Sequence, residues 1–173
     1  MGLMSNEEIE KAIAKGRLPF FISDYIFIGI LVLINVLGAA TLVVDNSKVL
    51  PVFAICSLFP IIMAGLTYNR KRLTIYSSSQ SLSSKQMVIS NLMDVLKATG
   101  IGNNEGYCQF IFGGGWFSND YSITIIYTQS AYYLNCISAS GRNSPFYGTN
   151  KETLKKIIKI LSEGNPLDAD LPL

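Results

Sequence analysis

The sequence contains no histidine and only 3 cysteines among its 173 residues. Histidine is the commonest general base and a common metal ligand, so its absence excludes the usual histidine-dependent catalytic and metal sites. The cysteines show no C-x-x-C spacing, and free cysteine is most often a small buried hydrophobe, so zinc and redox chemistry are not indicated. Asp94, Glu105 and Asp120 fall in separate segments and form no carboxylate pair. The sequence therefore predicts a protein that is not an enzyme and that holds no metal or cofactor.

An excess of charge of one sign is also missing. The chain has 14 basic and 12 acidic residues, and over residues 73–173 the two signs balance at seven each. Proteins that bind nucleic acids carry a basic patch that neutralises phosphate groups. The balance therefore predicts that nucleic acid is not a partner.

Long hydrophobic runs, in contrast, are present in residues 20–69. Residues 25–44 and 49–68 are each twenty residues long and contain no charged side chain, which is the length that a helix needs to cross a bilayer. Only four residues, 45–48, separate the two runs, so the pattern predicts a hairpin of two transmembrane helices. Pro51 and Pro60 lie in the second run, and a re-entrant segment is the alternative there. A cleaved signal peptide is the alternative for the first run, although its hydrophobic stretch is longer than a signal sequence needs.

Basic residues flank the hairpin on both outer sides and predict its orientation. Lysine and arginine precede the first run and Arg70, Lys71 and Arg72 follow the second, against Lys48 alone in the turn. The positive-inside rule then predicts a multi-pass protein of the bacterial inner membrane with both termini in the cytoplasm. Residues 1–19 predict a short amphipathic helix at the membrane surface. Asn35, in the first run, is a candidate for a polar contact within the membrane.

Residues 70–164 predict a small cytoplasmic α+β domain, followed by a tail at 165–173. Apolar and β-branched residues mark strands near 73–76, 106–112, 121–127 and 131–138, and helical spacing marks helices at 84–99 and 151–162. The order is β-α-β-β-β-α, and short connections favour an antiparallel sheet. We expect both helices on one face of a four-stranded sheet, with the other face open.

The two hydrophobic runs, the R-K-R triplet, the segments G-Y-C-Q-F-I-F, Y-S-I-T-I-I-Y and Y-Y-L-N-C-I-S, and the terminal N-K-E-T-L-K-K helix resemble small uncharacterised two-pass bacterial membrane proteins. The resemblance implies the same architecture, with a cytoplasmic α+β domain at the C-terminus. It carries no catalytic or binding residue and implies no activity.

Aromatic residues in two predicted loops are the candidate partner-binding site. Trp116 and Phe117 lie between two strands, and Phe146 and Tyr147 precede the last helix. Exposed aromatic side chains anchor partners, whereas the alternative is that these rings fold back onto the domain core.

These features together predict a membrane-anchored, non-enzymatic interaction or assembly module. Its expected partners are the lipid bilayer, further copies of the chain, or another membrane or cytoplasmic protein. A membrane-anchored sensor that binds a small molecule or a lipid headgroup at the cytoplasmic domain is the alternative.

Overall fold

The computed structural model describes residues 4–20, 22–44, 50–113, 120–138 and 151–163. The chain divides into two compact units: an α+β unit, formed by Met1–Pro19 and Arg72–Leu173, and a helix pair, formed by Phe20–Lys71. The described elements, in chain order, are α1 (Asn6–Lys15), α2 (Ile22–Val44), α3 (Leu50–Arg70), β1 (Thr74–Ser77), α4 (Leu82–Val95), β2 (Thr99–Asn104), β3 (Tyr107–Phe112), β4 (Tyr121–Tyr127), β5 (Ala131–Ser138) and α5 (Lys151–Glu163).

The helix pair consists of α2 and α3, which contact each other along one side. On α2 the less exposed positions are Ile28, Leu31, Asn35 and Gly38, which recur every three to four residues and so form one stripe. Ile34 and Val36, on either side of Asn35, are both 58% exposed. The pair therefore buries one narrow stripe of α2 and leaves most of its apolar surface uncovered.

The two runs form helices, but the transmembrane prediction is wrong. Among the described residues, no helix is long and apolar enough to cross a bilayer. The predicted spans at 25–44 and 49–68 are corrected accordingly. Three further predictions depended on these spans and are wrong as well. They are the membrane-anchored module, the membrane-anchored sensor and the inner-membrane location with cytoplasmic termini.

The sheet of the α+β unit has five strands in the order β1-β5-β4-β3-β2, all antiparallel. The three central strands are adjacent in sequence and form a meander, as the short connections predict. The first strand pairs with the last, Thr74 opposite Leu134, so it closes one edge. All four predicted strands form, as β1, β3, β4 and β5, the last two with the predicted bounds.

The main hydrophobic core lies between one face of the sheet and the helices α4 and α5. Alternation along the strands directs Cys108, Phe110, Ile123, Ile125 and further apolar side chains to this face, and all four are fully buried. Helix α4 contributes Ile89 and Leu92, and α5 contributes a stripe at helical spacing: Leu154, Ile157, Ile160 and Leu161. Helix α5 thus packs on the sheet through its apolar stripe, as its pattern predicts.

The second face of the sheet is not open, because α1 packs on it. Ile9 and Ala12 of α1 form a second cluster with Tyr107 and Ile126, and Met4, Leu18 and Leu73 complete it. The helix begins with a capping box, in which the Ser5 hydroxyl accepts a hydrogen bond from the Glu8 amide and the Glu8 carboxylate accepts one from the Ser5 amide. The prediction of helices on one face only is therefore wrong.

The prediction of four strands is also wrong, because β2 follows α4 directly. The helix ends at Val95, after which Lys97 adopts a left-handed conformation with φ of 48° that no glycine signals in the sequence. The strand, TGIGNN, is poor in residues that favour strands, and its pairing to β3 shifts register between Gly100 and Gly102. The side chains of β2 do not favour a strand, so backbone hydrogen bonds to β3 stabilise it in that conformation.

We expect the α+β unit to lose stability between about pH 9 and pH 12. Burial raises the pKa of Cys108 to about 11 and those of Cys136, Tyr107 and Tyr132 to about 12, with smaller contributions from neighbouring groups at the tyrosines. A raised pKa in the folded state means that these groups stabilise the fold below their ordinary pKa values of 9.0 and 10.0 and lose that contribution as the pH rises. Urea denaturation followed by circular dichroism at several pH values measures this loss. Cys136→Ala removes one of the four groups and reduces the pH dependence, and an unchanged midpoint from pH 8 to pH 11 would contradict the expectation.

Candidate functional site

The four aromatic residues predicted as a partner-binding site, Trp116, Phe117, Phe146 and Tyr147, lie outside the described residues. The prediction that they bind a partner is therefore not tested. Asn35 is described, and its amide donates a hydrogen bond to the Leu31 carbonyl of the same helix at 2.8 Å. Its Oδ1 atom is buried and accepts no hydrogen bond from the described residues. Asn35 thus bonds within α2.

Among the described residues, a large group of exposed apolar side chains lies on the helix pair. We call it the apolar surface and define it by its exposed large hydrophobic residues: Ile22, Tyr25, Ile26, Phe27, Ile30, Val32, Leu33, Ile34, Val36 and Leu37 on α2, and Leu58, Phe59, Ile61, Ile62 and Tyr68 on α3. Consecutive residues of a helix point about 100° apart, so exposure of Val32, Leu33 and Ile34 places apolar groups on more than one side of α2. Patches of this kind mark sites of association.

One end of the helix pair is held by an ion pair and by aromatic contacts. The Lys71 ammonium lies 2.8 Å from the Asp24 carboxylate, and both side chains are largely shielded from solvent, 7% and 19% exposed. The ring of Phe20 lies 5.8 Å from that of Tyr25 and 6.4 Å from that of Tyr68. These contacts join the start of α2 to the end of α3.

The α+β unit contains a fully buried lysine. Lys85 lies on the buried stripe of α4, and its Nζ donates hydrogen bonds to the carbonyls of Ser78 at 3.0 Å, Thr128 at 2.8 Å and Gln129 at 3.1 Å. The ammonium also lies 4.9 Å from the centre of the Tyr132 ring. Burial lowers the pKa of Lys85. All three of its N–H donors are used, and among the described residues no carboxylate pairs with it.

Further hydrogen bonds around Lys85 link two connections of the α+β unit to each other. The Ser78 amide donates to the Ser130 carbonyl at 2.9 Å, and the Tyr132 hydroxyl donates to Gln80 at 2.8 Å. The connection from β1 to α4 is therefore tied to the turn from β4 to β5, with Lys85 at the centre. Because α4, β1 and the turn all meet there, we interpret Lys85 as a structural clamp rather than as a reactive amine.

A cleft of about 470 Å³ opens beside α4. Exposed polar residues of the helix line it, together with the half-buried Met93 and the buried Tyr127. Its complete lining is Ser83, Gln86, Met87, Ile89, Ser90, Asn91, Met93, Asp94 and Tyr127. The cleft combines a single carboxylate with amides and hydroxyls, so it lacks the paired groups that acid–base chemistry requires.

Metal-ligating and nucleophilic groups do not converge in the part of the chain that the structure describes. No three histidine, cysteine, aspartate or glutamate residues there lie in an arrangement that holds a metal ion. Cys108 and Cys136 are buried, and burial raises the pKa of both thiols, which disfavours the reactive thiolate.

Comparison of the chain with protein families, with curated proteins and with solved structures finds no match. The resemblance to two-pass bacterial membrane proteins is therefore not tested by relatives.

Sequence reasoning missed Lys85 because it treats lysine as a surface residue. The signal was the spacing of Lys85, Ile89, Leu92 and Leu96, which recur every three to four residues and form one stripe of the helix. Val95 also falls at helical spacing, but it lies off this stripe and is 39% exposed.

We expect Lys85→Met to destabilise the α+β unit by at least about 1 kcal/mol, because it removes the donor shared by three carbonyls of partly exposed connections and a group left unpaired on burial costs roughly 1 to 3 kcal/mol. Lys155→Met is the matched control, since Lys155 is exposed on α5, and ordinary surface changes stay within about 0.5 kcal/mol. Urea denaturation of the two variants and the wild type measures the difference. Equal midpoints for both variants would show that Lys85 contributes nothing specific.

Proposed function

We propose that the chain is a non-enzymatic interaction module that assembles with copies of itself through the apolar surface of α2 and α3. The observation that supports this most directly is the exposure of fifteen large hydrophobic residues on the helix pair, including Tyr25 at 64% and Leu33 at 56%. An α-helix that is apolar on most of its sides is ordinarily covered by other apolar groups.

The amount of exposed surface supports an interface. Burying a large aliphatic side chain is worth about 1.5 to 3 kcal/mol at about 25 cal/mol per Å², which corresponds to roughly 60 to 120 Å² of apolar surface per residue. Fifteen such residues, each about half exposed, give a solvent-exposed apolar area on the order of 800 Å². The largest apolar patch of a typical monomer is about 300 to 600 Å², whereas a stable interface takes about 800 Å² from each partner.

The chemistry of the surface favours copies of the same chain as the occupant. Between Asp24 and Arg70 the sequence has only two charged residues, Asp45 and Lys48, so the surface offers little charge for selecting a charged partner. An apolar surface is complementary to itself, and most soluble oligomers are assembled from identical chains. Because apolar residues lie on several sides of α2, we propose that helix pairs from more than two copies pack together.

In this proposal the apolar surface brings the copies together, and each copy contributes one α+β unit to the assembly. No catalytic step is part of this proposal. The helix pair supplies affinity through burial, and shape rather than charge determines which chains associate.

Site-directed crosslinking tests the proposal on the full chain. Leu33→Cys or Ile62→Cys is introduced in a Cys56→Ser background, in which native Cys108 and Cys136 remain but are buried, and each variant is treated with a short bismaleimide at low protein concentration. We expect dimers and larger species at both positions, because each residue is more than half exposed on the apolar surface, at 56% and 53%.

Ile75→Cys is the matched control, since Ile75 is 61% exposed but lies on β1 of the α+β unit. It is expected to give far less crosslinked product. Equal crosslinking at Ile75 would indicate nonspecific aggregation. Recovery of the Leu33 and Ile62 variants as single copies, whether free or associated with lipid, would overturn the proposal.

A further inference from the structure

The two faces of the sheet differ in the kind of side chain that they carry. The face under α4 and α5 is apolar and includes Phe110, Ile123, Ile125 and Leu134. The face on the α1 side carries buried polar side chains in successive positions of the central strands. They are Gln109, Ser122, Thr124 and Asn135, each at most 6% exposed.

We infer that α1 is a cover that opens independently of the rest of the α+β unit, hinged at Gly16, and uncovers the side of the sheet that carries Tyr107 and Gln109. This inference does not depend on assembly through the apolar surface.

The first argument concerns how weakly α1 is held. Of its ten residues only Ile9 and Ala12 are buried and Ile13 is partly buried, while Met4 before the helix and Leu18 after it complete the apolar contact. Helix α4 is held differently, since Lys85 donates three hydrogen bonds to two separate connections. Opening α1 therefore exposes few apolar groups, whereas opening α4 breaks a buried polar clamp.

The second argument concerns the surface that opening uncovers. The Tyr107 hydroxyl donates to the Gln109 carbonyl oxygen at 2.8 Å, and the Gln109 amide donates to the Ser122 hydroxyl at 3.4 Å. These bonds run between side chains of the sheet itself and survive when α1 leaves. Polar groups also regain hydrogen bonds with water, so exposing them costs less than exposing the apolar face under α4 and α5.

The third argument concerns the hinge. Gly16 adopts a left-handed conformation with φ of 62°, and apart from Gly16 and its two chain neighbours no described heavy atom lies within 4 Å of the position that a Cβ would occupy there. Immediately after it the chain is fixed, because the Leu73 amide donates to the Gly16 carbonyl at 2.9 Å and Arg17 pairs with Arg72 as an isolated bridge. A conformationally free residue next to a fixed segment is where a helix can turn away without disturbing the sheet.

Hydrogen exchange of the full chain, resolved by mass spectrometry, tests the inference. An undocked helix of ten residues is marginal in water, so its amides exchange when it opens. We expect α1 to exchange faster than β4 and α4 in the wild type. Ile9→Ala removes buried methyl groups from the contact and is expected to raise α1 exchange at least about tenfold, with β4 and α4 unchanged.

Glu10→Ala is the matched control, because Glu10 is the neighbouring exposed residue of the same helix, and it should leave α1 exchange unchanged. A second readout uses Ile126→Cys, on the face under α1, and native Cys136, on the opposite face. The introduced thiol is expected to react faster than Cys136, and faster still with Ile9→Ala present. Wild-type protection of α1 equal to that of β4, or an Ile9→Ala effect of the same size in α1, β4 and α4, would overturn the inference.

Discussion

The alternation of side chains along β3, β4 and β5 is the constraint on which the α+β unit depends. The register between these strands is regular, with Gln109 opposite Thr124 and Thr124 opposite Asn135. A shift of one residue in any of them would move polar side chains into the apolar core and apolar ones to the other face. The positions of α4 and α5 on one face and of α1 on the other follow from this register.

Lys85 shows how a buried charge is accommodated without an opposite charge. The three carbonyls that accept its hydrogen bonds come from two connections that are far apart in sequence, and the Tyr132 ring adds a favourable electrostatic contact. A neutral amine could donate only two of the three bonds, so this geometry requires the ammonium form. The clamp also fixes the connection that follows β1, a strand of four residues that would otherwise be a weakly held edge.

The sequence predicted the segments whose patterns are strong and local. Helix α5 and strands β4 and β5 form where periodicity placed them, because their apolar residues face a single core. β2 was missed because its stability comes from pairing with β3, which a local pattern does not contain. The packing of α1 on the second face of the sheet was missed because residues 4–18 contact residues that are far away in sequence.

The transmembrane prediction relied on the length of two charge-free runs and did not agree with the helices that the structure describes. Of the predicted site residues, only Asn35 lies in the described part of the chain, so the aromatic loops stay a prediction.

The bond between the Leu73 amide and the Gly16 carbonyl has a consequence for how the chain folds. It makes the helix pair an insertion within the α+β unit, so that the first segment of that unit is separated from the remainder by more than fifty residues. Closing a loop of that length costs entropy before any contact compensates for it, although the cost grows only slowly with length. The ion pair between Asp24 and Lys71 brings the two ends of the insertion together and shortens the effective loop. During synthesis α1 leaves the ribosome well before the strands that it covers are made. Its docking is therefore expected to be among the last steps of folding, after the central meander has formed.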